Sequence, residues 1–405
     1  MSPKAGQENP YCANWQRGIA LIVVLVLLGL LVGALAVGFT GDLALQNKNQ
    51  QQTTEALARV KDALIGWSAS RTPPNSTSNI RPGELPCPDI DNTGTDAGGC
   101  SAGAIGRVPW KSLGIPEPKD SAGETLWYAI AGPFRNHSMT TAPITSDTLG
   151  NLTVYAGSSA STLTSQAIAV IFAPGATLGA QNRDPSSTAF CATTGTPIGR
   201  NLCAANYLEA TGGGNNAQTG GPFIEAQPSS TFNDRLLVIT NADLMPIVEQ
   251  RVAREIRALL QSYRSAALYY PWADNDGDGI SDPGNNRGHF PCNAALPVPW
   301  GVLSTPVLPN WLTNGCGVNG WASVIYYTAA QNRLPAAVCT TCTAPSLTVN
   351  GVPTDLVLLT PGAAAGARVW VSGYFEDAEN NGNNDDNYIT PTSTTYNRDR
   401  IYTVP

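Results

Sequence analysis

The sequence predicts an α+β chain: a long N-terminal membrane helix followed by two duplicated lobes, each a helix with an antiparallel, loop-rich β region. Three observations carry this expectation. An apolar run free of Pro and charge extends from Ile19 to Phe39. Amphipathic helical spacing continues behind it and returns near residue 242. Short motifs recur in one order in the two halves. The expected segments are a leader over 1–18, a transmembrane helix over 19–39, an amphipathic extension over 40–70, and lobes over 71–240 and 241–405.

About twenty apolar residues at 1.5 Å rise span a bilayer core, so 19–39 is long enough. Arg17-Gly18 stands directly before the run and Asp42 after it. Three readings fit this flank: a plain single-pass anchor, a secretory signal cut at Ala34-Leu35-Ala36, and a leader cut after Gly18 that leaves the helix on the mature chain. From Leu43 to Ile65 there is no Pro and no Gly. Leu57, Val60, Leu64 and Trp67 then share one helical face. Thr72-Pro73-Pro74 ends the helix. Lys4 and Arg17 before the run place the N-terminus in the cytoplasm by the positive-inside tendency.

The stretch Gln16-Arg17-Gly18-Ile19-Ala20-Leu21-Ile22-Val23-Val24-Leu25 resembles the processing region of type IV pilins and type II secretion pseudopilins. The resemblance implies cleavage between Gly18 and Ile19 by a prepilin peptidase and methylation of the new N-terminus. It also implies pilin-like lobes and contact with other pilins or pseudopilins through the N-terminal helix. Ile19 replaces the usual Phe, and Val23 stands where major pilins carry Glu. The missing Glu is similar to minor, tip-type subunits, so the implied role is a minor pilin or pseudopilin at or near a filament tip. The alternative is a membrane-anchored extracytoplasmic binding protein or adhesin. The expected location is the bacterial inner membrane, single pass, with a cytoplasmic N-terminus and periplasmic lobes, or outside the cell in a filament.

Of nine cysteines, Cys12 lies in the leader and eight lie beyond the apolar run: Cys87, Cys100, Cys191, Cys203, Cys292, Cys316, Cys339 and Cys342. An even exported set fits an oxidising compartment. Eight cysteines allow 105 pairings. Neighbour pairing, 87–100, 191–203, 292–316 and 339–342, is the simplest. Cys339 and Cys342 also have redox-pair spacing, although no thioredoxin-like βαβ pattern surrounds them. Only 13% of residues are charged, and there are 40 Gly and 31 Pro. Such a composition favours loop-rich β structure outside the cytoplasm. The formal net charge of −7 argues against nucleic acid as a partner.

The repeat rests on six pairs of anchors. They are Pro86-Cys87 with Pro291-Cys292, Val108-Pro109-Trp110 with Val298-Pro299-Trp300, and Leu126–Ala129 with Ile325–Thr328. Pro174-Gly175 pairs with Pro361-Gly362, Tyr207-Leu208-Glu209 with Tyr374-Phe375-Glu376, and Ser230–Asn233 with Thr394–Asn397. Each lobe follows a helix. The second helix, from Ala242 to Tyr269, carries Val252, Ile256, Leu259 and Tyr263 on one face and capping residues at Asn241 and Asp243.

Asp274-Asn-Asp276-Gly-Asp278-Gly279-Ile280-Ser-Asp282 follows the front half of an EF-hand-type calcium loop, with carboxylates at positions 1, 3, 5 and 9 and Gly at 6. The Ile280 carbonyl falls at the backbone-ligand position. Calcium is the expected cofactor, since it takes hard oxygens and relieves the repulsion among the carboxylates. Asn285 at position 12 in place of the bidentate Glu predicts weak binding, about 10⁻⁴–10⁻³ M. The loop resembles those of thrombospondin-type repeats and dockerins. The first lobe has an eroded counterpart at Asp89, Asp91 and Asp96. The acidic stretch from Glu376 to Asp386 reads as a solvated loop. No enzyme is expected. Gly99-Cys-Ser101-Ala-Gly103 fits the G-x-S-x-G pattern without its strand-turn-helix context, and the chain has two histidines, His137 and His289.

Overall fold

The computed structural model describes residues 12–72, 81–136, 142–189, 191, 197–292, 308–313, 320–335, 340, 346–360, 362, 386–388, 390 and 400–404. The chain forms two compact units, Met1–Glu55 and Ala56–Pro405. Helix α1 runs from Cys12 to Ala69, 58 residues. In the first unit its residues Val23–Leu28 stand half exposed. In the second unit Leu57, Val60 and Leu64 are buried on one face, as their spacing requires.

The expected membrane helix over 19–39 is not sustained. Among the described residues no helix is long and apolar enough to cross a membrane. From Gln46 to Glu55 the helix is polar. The single-pass placement in an inner membrane is overturned with it. The fold class changes as well. The chain is mixed α/β, mostly strands in several small sheets, rather than a membrane helix bearing two antiparallel, pilin-like lobes.

The strands of the first half are β1 (Ile105–Arg107), β2 (Trp127–Ile130), β3 (Leu152–Ala156), β4 (Ser158–Ala167), β5 (Ala169–Ala173), β6 (Phe223–Glu225) and β7 (Arg235–Ile239), besides two short hairpins. Helix α2 follows over Asn241–Ala267. Then come β8 (Arg287–His289), β9 (Tyr326–Ala329), β10 (Leu347–Val349), β11 (Val352–Thr354), β12 (Leu356–Thr360), β13 (Asn387–Tyr388) and β14 (Arg400–Val404). One four-stranded antiparallel sheet has the order β1-β2-β5-β7, and another has β8-β9-β12-β14. The three-stranded sheets β6-β3-β4 and β13-β10-β11 also match. In each, the hairpin is antiparallel and the late-arriving strand is parallel. A parallel neighbour needs a long crossover, and the excursion from β3 to β6 supplies one.

Hydrogen bonds fix the correspondence between the halves. Gly106 faces Tyr128 and Gly288 faces Tyr327. Tyr128 Oη donates to Pro86 O at 3.2 Å, and Tyr327 Oη donates to Pro271 O at 2.8 Å. Asp89 bridges Arg107, and Asp274 bridges His289. Pro86 therefore corresponds to Pro271, and Val108-Pro109 to Phe290-Pro291. The pairing of Pro86-Cys87 with Pro291-Cys292 is out of register, because Pro-containing turns crowd this part of the second half. The other anchors of the second half at 298–300, 374–376 and 394–397 lie outside the described residues.

The central strands β2, β5, β9 and β12 are buried along their whole length. Both faces are covered, which is why Leu356–Leu359 reads as a continuous apolar run without alternation. A single hydrophobic cluster takes in Leu57 and Val60 of α1, Val252 and Ile256 of α2, Ile171 of β5 and Leu358 of β12.

The start of α2 is capped by Thr240. Its backbone N–H donates to Asp243 Oδ2 at 2.9 Å, and Lys61 Nζ donates to Asp243 Oδ1 at 2.7 Å. Burial pushes the Asp243 carboxyl up, but the bonds from Lys61 and Thr240 together hold it below its ordinary value. A carboxyl lowered in the folded state stabilises above its unfolded pKa, and that contribution is lost as pH falls through the folded one. Asp243→Ala is expected to lose about 1 kcal/mol in urea unfolding at neutral pH. The gap to wild type should narrow below about pH 4.

Candidate metal centre

The loop from Asp274 to Asp282 connects Ala273 to the strand β8. Asp274 is buried, with 2% of its surface exposed. Its Oδ1 accepts the Gly277 N–H at 2.7 Å, and its Oδ2 accepts the Gly279 N–H at 2.8 Å. The backbone curls around this carboxylate because Gly277 and Gly279 adopt φ of 82° and 87°, which other residues rarely adopt. Asp282 Oδ2 accepts the Asn275 N–H at 2.7 Å and closes the loop from the far side. Asn285, at position 12, acts through its backbone. Its N–H donates to Asp282 O, and its carbonyl accepts from Ala273 N–H.

Carboxylate oxygens of Asp274, Asp276 and Asp282 lie within 4.8 Å of one another. Two oxygens bound to one calcium ion at about 2.3–2.6 Å are at most about 5 Å apart, so this set fits a hard cation of that size. The structure does not bring Asp278 into the group. Asp278 Oδ1 accepts the Ile280 N–H at 2.7 Å, while its own N–H donates to Asp276 Oδ1. Burial raises the Asp274 carboxyl, opposed by the Gly277 and Gly279 bonds and aided by the charges of Asp278 and Asp276. The nearest imidazole brings no positive charge at neutral pH, since burial lowers His289 to about 4. Arg287 is engaged by Asp386 at 2.9 Å.

The first half repeats the frame with different chemistry. Asp89 Oδ2 accepts the Gly94 N–H at 2.7 Å, matching Asp274 and Gly279. Thr93 occupies the place of Asp278, and its hydroxyl donates to Asp91 Oδ1 at 2.7 Å. Asp96 accepts from Asn136 Nδ2 at 3.1 Å. Burial raises Asp89, whereas the Thr93 hydroxyl is the main cause that lowers Asp91. Local donors satisfy these carboxylates, and among the described residues no trio converges here.

Cys87 joins Cys100 and Cys191 joins Cys203, with Cα–Cα distances of 5.7 and 5.2 Å. These are the pairs that neighbour pairing gives. Cys292 is disulfide-bonded as well, and its Sγ lies 3.6 Å from Gly279 O. Cys316, Cys339, Cys342 and His137 lie outside the described residues. Gly18 and Ile19 lie within α1. Ser101 is exposed in a turn beside Cys100 of the disulfide. Asp386 does not belong to a solvated loop. It is 1% exposed and pairs with Arg287 and Asn286, and no sequence signal distinguishes it from the acidic residues before it. No family model, curated protein or solved structure matches the chain.

Proposed function

We propose that the chain is a minor pilin- or pseudopilin-like filament subunit, cut after Gly18 and joined to like subunits through α1. The supporting observation is the helix itself. One continuous helix of 58 residues contains the Gly18-Ile19 step, leaves apolar Val23–Leu28 half exposed in the first unit, and contributes Leu57, Val60 and Leu64 to the core of the second. An uncovered apolar helical stretch calls for a partner surface of the same kind. Co-expression with a prepilin peptidase is expected to give a mature N-terminus at Ile19, with the chain present in sheared filaments. A different N-terminus, or absence from the filaments, overturns the reading.

The second half supports calcium as the ligand of the Asp274–Asp282 loop. Asp274, Asp276 and Asp282 are the converging carboxylates, and Asp278 and the Ile280 carbonyl are named by their spacing in the sequence. At a Kd of about 1 mM, 10 mM calcium stabilises by about 1.4 kcal/mol, which is a measurable rise in melting temperature. Asp276→Asn with Asp282→Asn is expected to abolish that rise. A rise left unchanged places the metal elsewhere.

A further inference from the structure

A second pair of carboxylates lies far from the calcium-type loop. Glu209 and Asp234 are bonded to each other reciprocally. The Glu209 N–H donates to Asp234 Oδ2 at 2.8 Å, and the Asp234 N–H donates to Glu209 Oε2 at 3.2 Å. This arrangement sets the two side chains side by side. Asp234 is 2% exposed. Its Oδ2 also accepts from Asn216 Nδ2 at 2.9 Å, whereas its Oδ1 is buried with no donor. Glu209 takes further bonds from the Asn233 N–H and from Gln181 Nε2. It opens onto a cavity of ≈ 380 Å³, which gives protons a way in.

We propose that Glu209 and Asp234 share one proton and act as a pH-sensitive clasp, which holds the excursion between β5 and β6 against the entry to β7. The proton sits on Asp234 Oδ1 and donates to the Glu209 carboxylate, supplying the hydrogen that the buried oxygen otherwise lacks. Two adjacent carboxylates cannot both ionise cheaply in a buried site. Among the described residues no ion pair is made to either carboxylate. Arg183 reaches Glu209 only through Gln181, and it is also paired with Glu124 at 2.9 Å. Arg235 follows on β7, where it lies opposite Ala173. Burial first, and the Glu209 charge second, push the Asp234 carboxyl well above its ordinary value. Because the folded value is raised, the stabilisation is complete below the unfolded pKa and is lost as pH rises through the folded one.

Asp234→Asn reproduces the protonated shape and keeps a donor toward Glu209 at every pH. Its melting temperature is expected to match wild type near pH 4 and to exceed it by a few degrees near pH 9. In wild type, the Asp234 side-chain carbon should titrate well above the ordinary carboxyl value by NMR, and in Glu209→Gln it should titrate lower. A melting difference that stays flat across this range overturns the clasp. So does an Asp234 titration near the ordinary carboxyl value, a measurement on wild type that stands even if both variants misfold.

Discussion

Gly288→Ala is expected to lose about 3 kcal/mol or more of stability and, together with it, any calcium-dependent rise in melting temperature. Gly288 is the middle residue of β8. A Cβ there would lie 2.1 Å from Asp274 O and 2.8 Å from Asp274 C. These are backbone atoms, so no side-chain rotation can relieve the clash. The loop would have to withdraw, breaking the His289 N–H bond to Asp274 O at 2.7 Å and the Asp274 N–H bond to His289 O at 3.2 Å. The first half provides the control. Gly106 holds the corresponding place, and a Cβ there would lie 2.5 Å from Asp89 O. Gly106→Ala should also destabilise, but it should leave a calcium response intact, since the metal-type carboxylates are in the other half. Urea unfolding and melting with and without calcium check both variants. Wild-type stability in Gly288→Ala would mean that the loop can move away from the strand without loss.

Both glycines were visible in the sequence, yet nothing there marked them as places where two backbones touch. The helical faces were legible because burial obeys a period. Val252, Ile256, Leu259 and Tyr263 recur every three to four residues, and all are buried. The apolar run in β12 was legible for a related reason, since a strand covered on both faces has no polar side to show. The parallel partners of β3 and β10 were not legible, because alternation names the two faces of a strand but not its neighbour. Carboxylate spacing named the metal-type loop. It did not say that Asp278 would use its oxygen on the Ile280 N–H. The slipped match of Pro86 to Pro291 has a similar cause. A dipeptide motif says that a turn exists, whereas the Tyr128 and Tyr327 hydroxyl bonds say which turn corresponds to which. Glu209 and Asp234 lie 25 residues apart and meet only after the intervening hairpin and β6 are placed.

Asp386→Asn is expected to lose about 3 kcal/mol in urea unfolding. The side chains of Arg287 and Asp386 are 8% and 0% exposed, and they meet at 2.9 Å. Asp386 Oδ1 also accepts from Asn286 Nδ2 at 3.1 Å, and its carbonyl accepts the Thr348 N–H at 3.0 Å, joining β10 to the strand that follows. Asn preserves the size of Asp and tolerates its φ of 58°. The variant therefore reports the charge rather than a cavity or a strained backbone. What it removes is the anion of a buried ion pair while the guanidinium stays in place, the costly way to break such a pair. The register shows how the protein avoids this cost elsewhere. Arg287 faces Thr328 across β8 and β9, and the first-half counterpart of Arg287 is Ile105, which faces Ala129. One half fills the position with an aliphatic side chain, and the other fills it with a cation that needs an anion. Arg287→Ile combined with Asp386→Asn should therefore recover most of the loss, because the replacement at 287 is the one the same fold already uses at 105. A double variant no more stable than Asp386→Asn alone would show that Asp386 acts through its bonds to Asn286 and β10 rather than through the charge of Arg287.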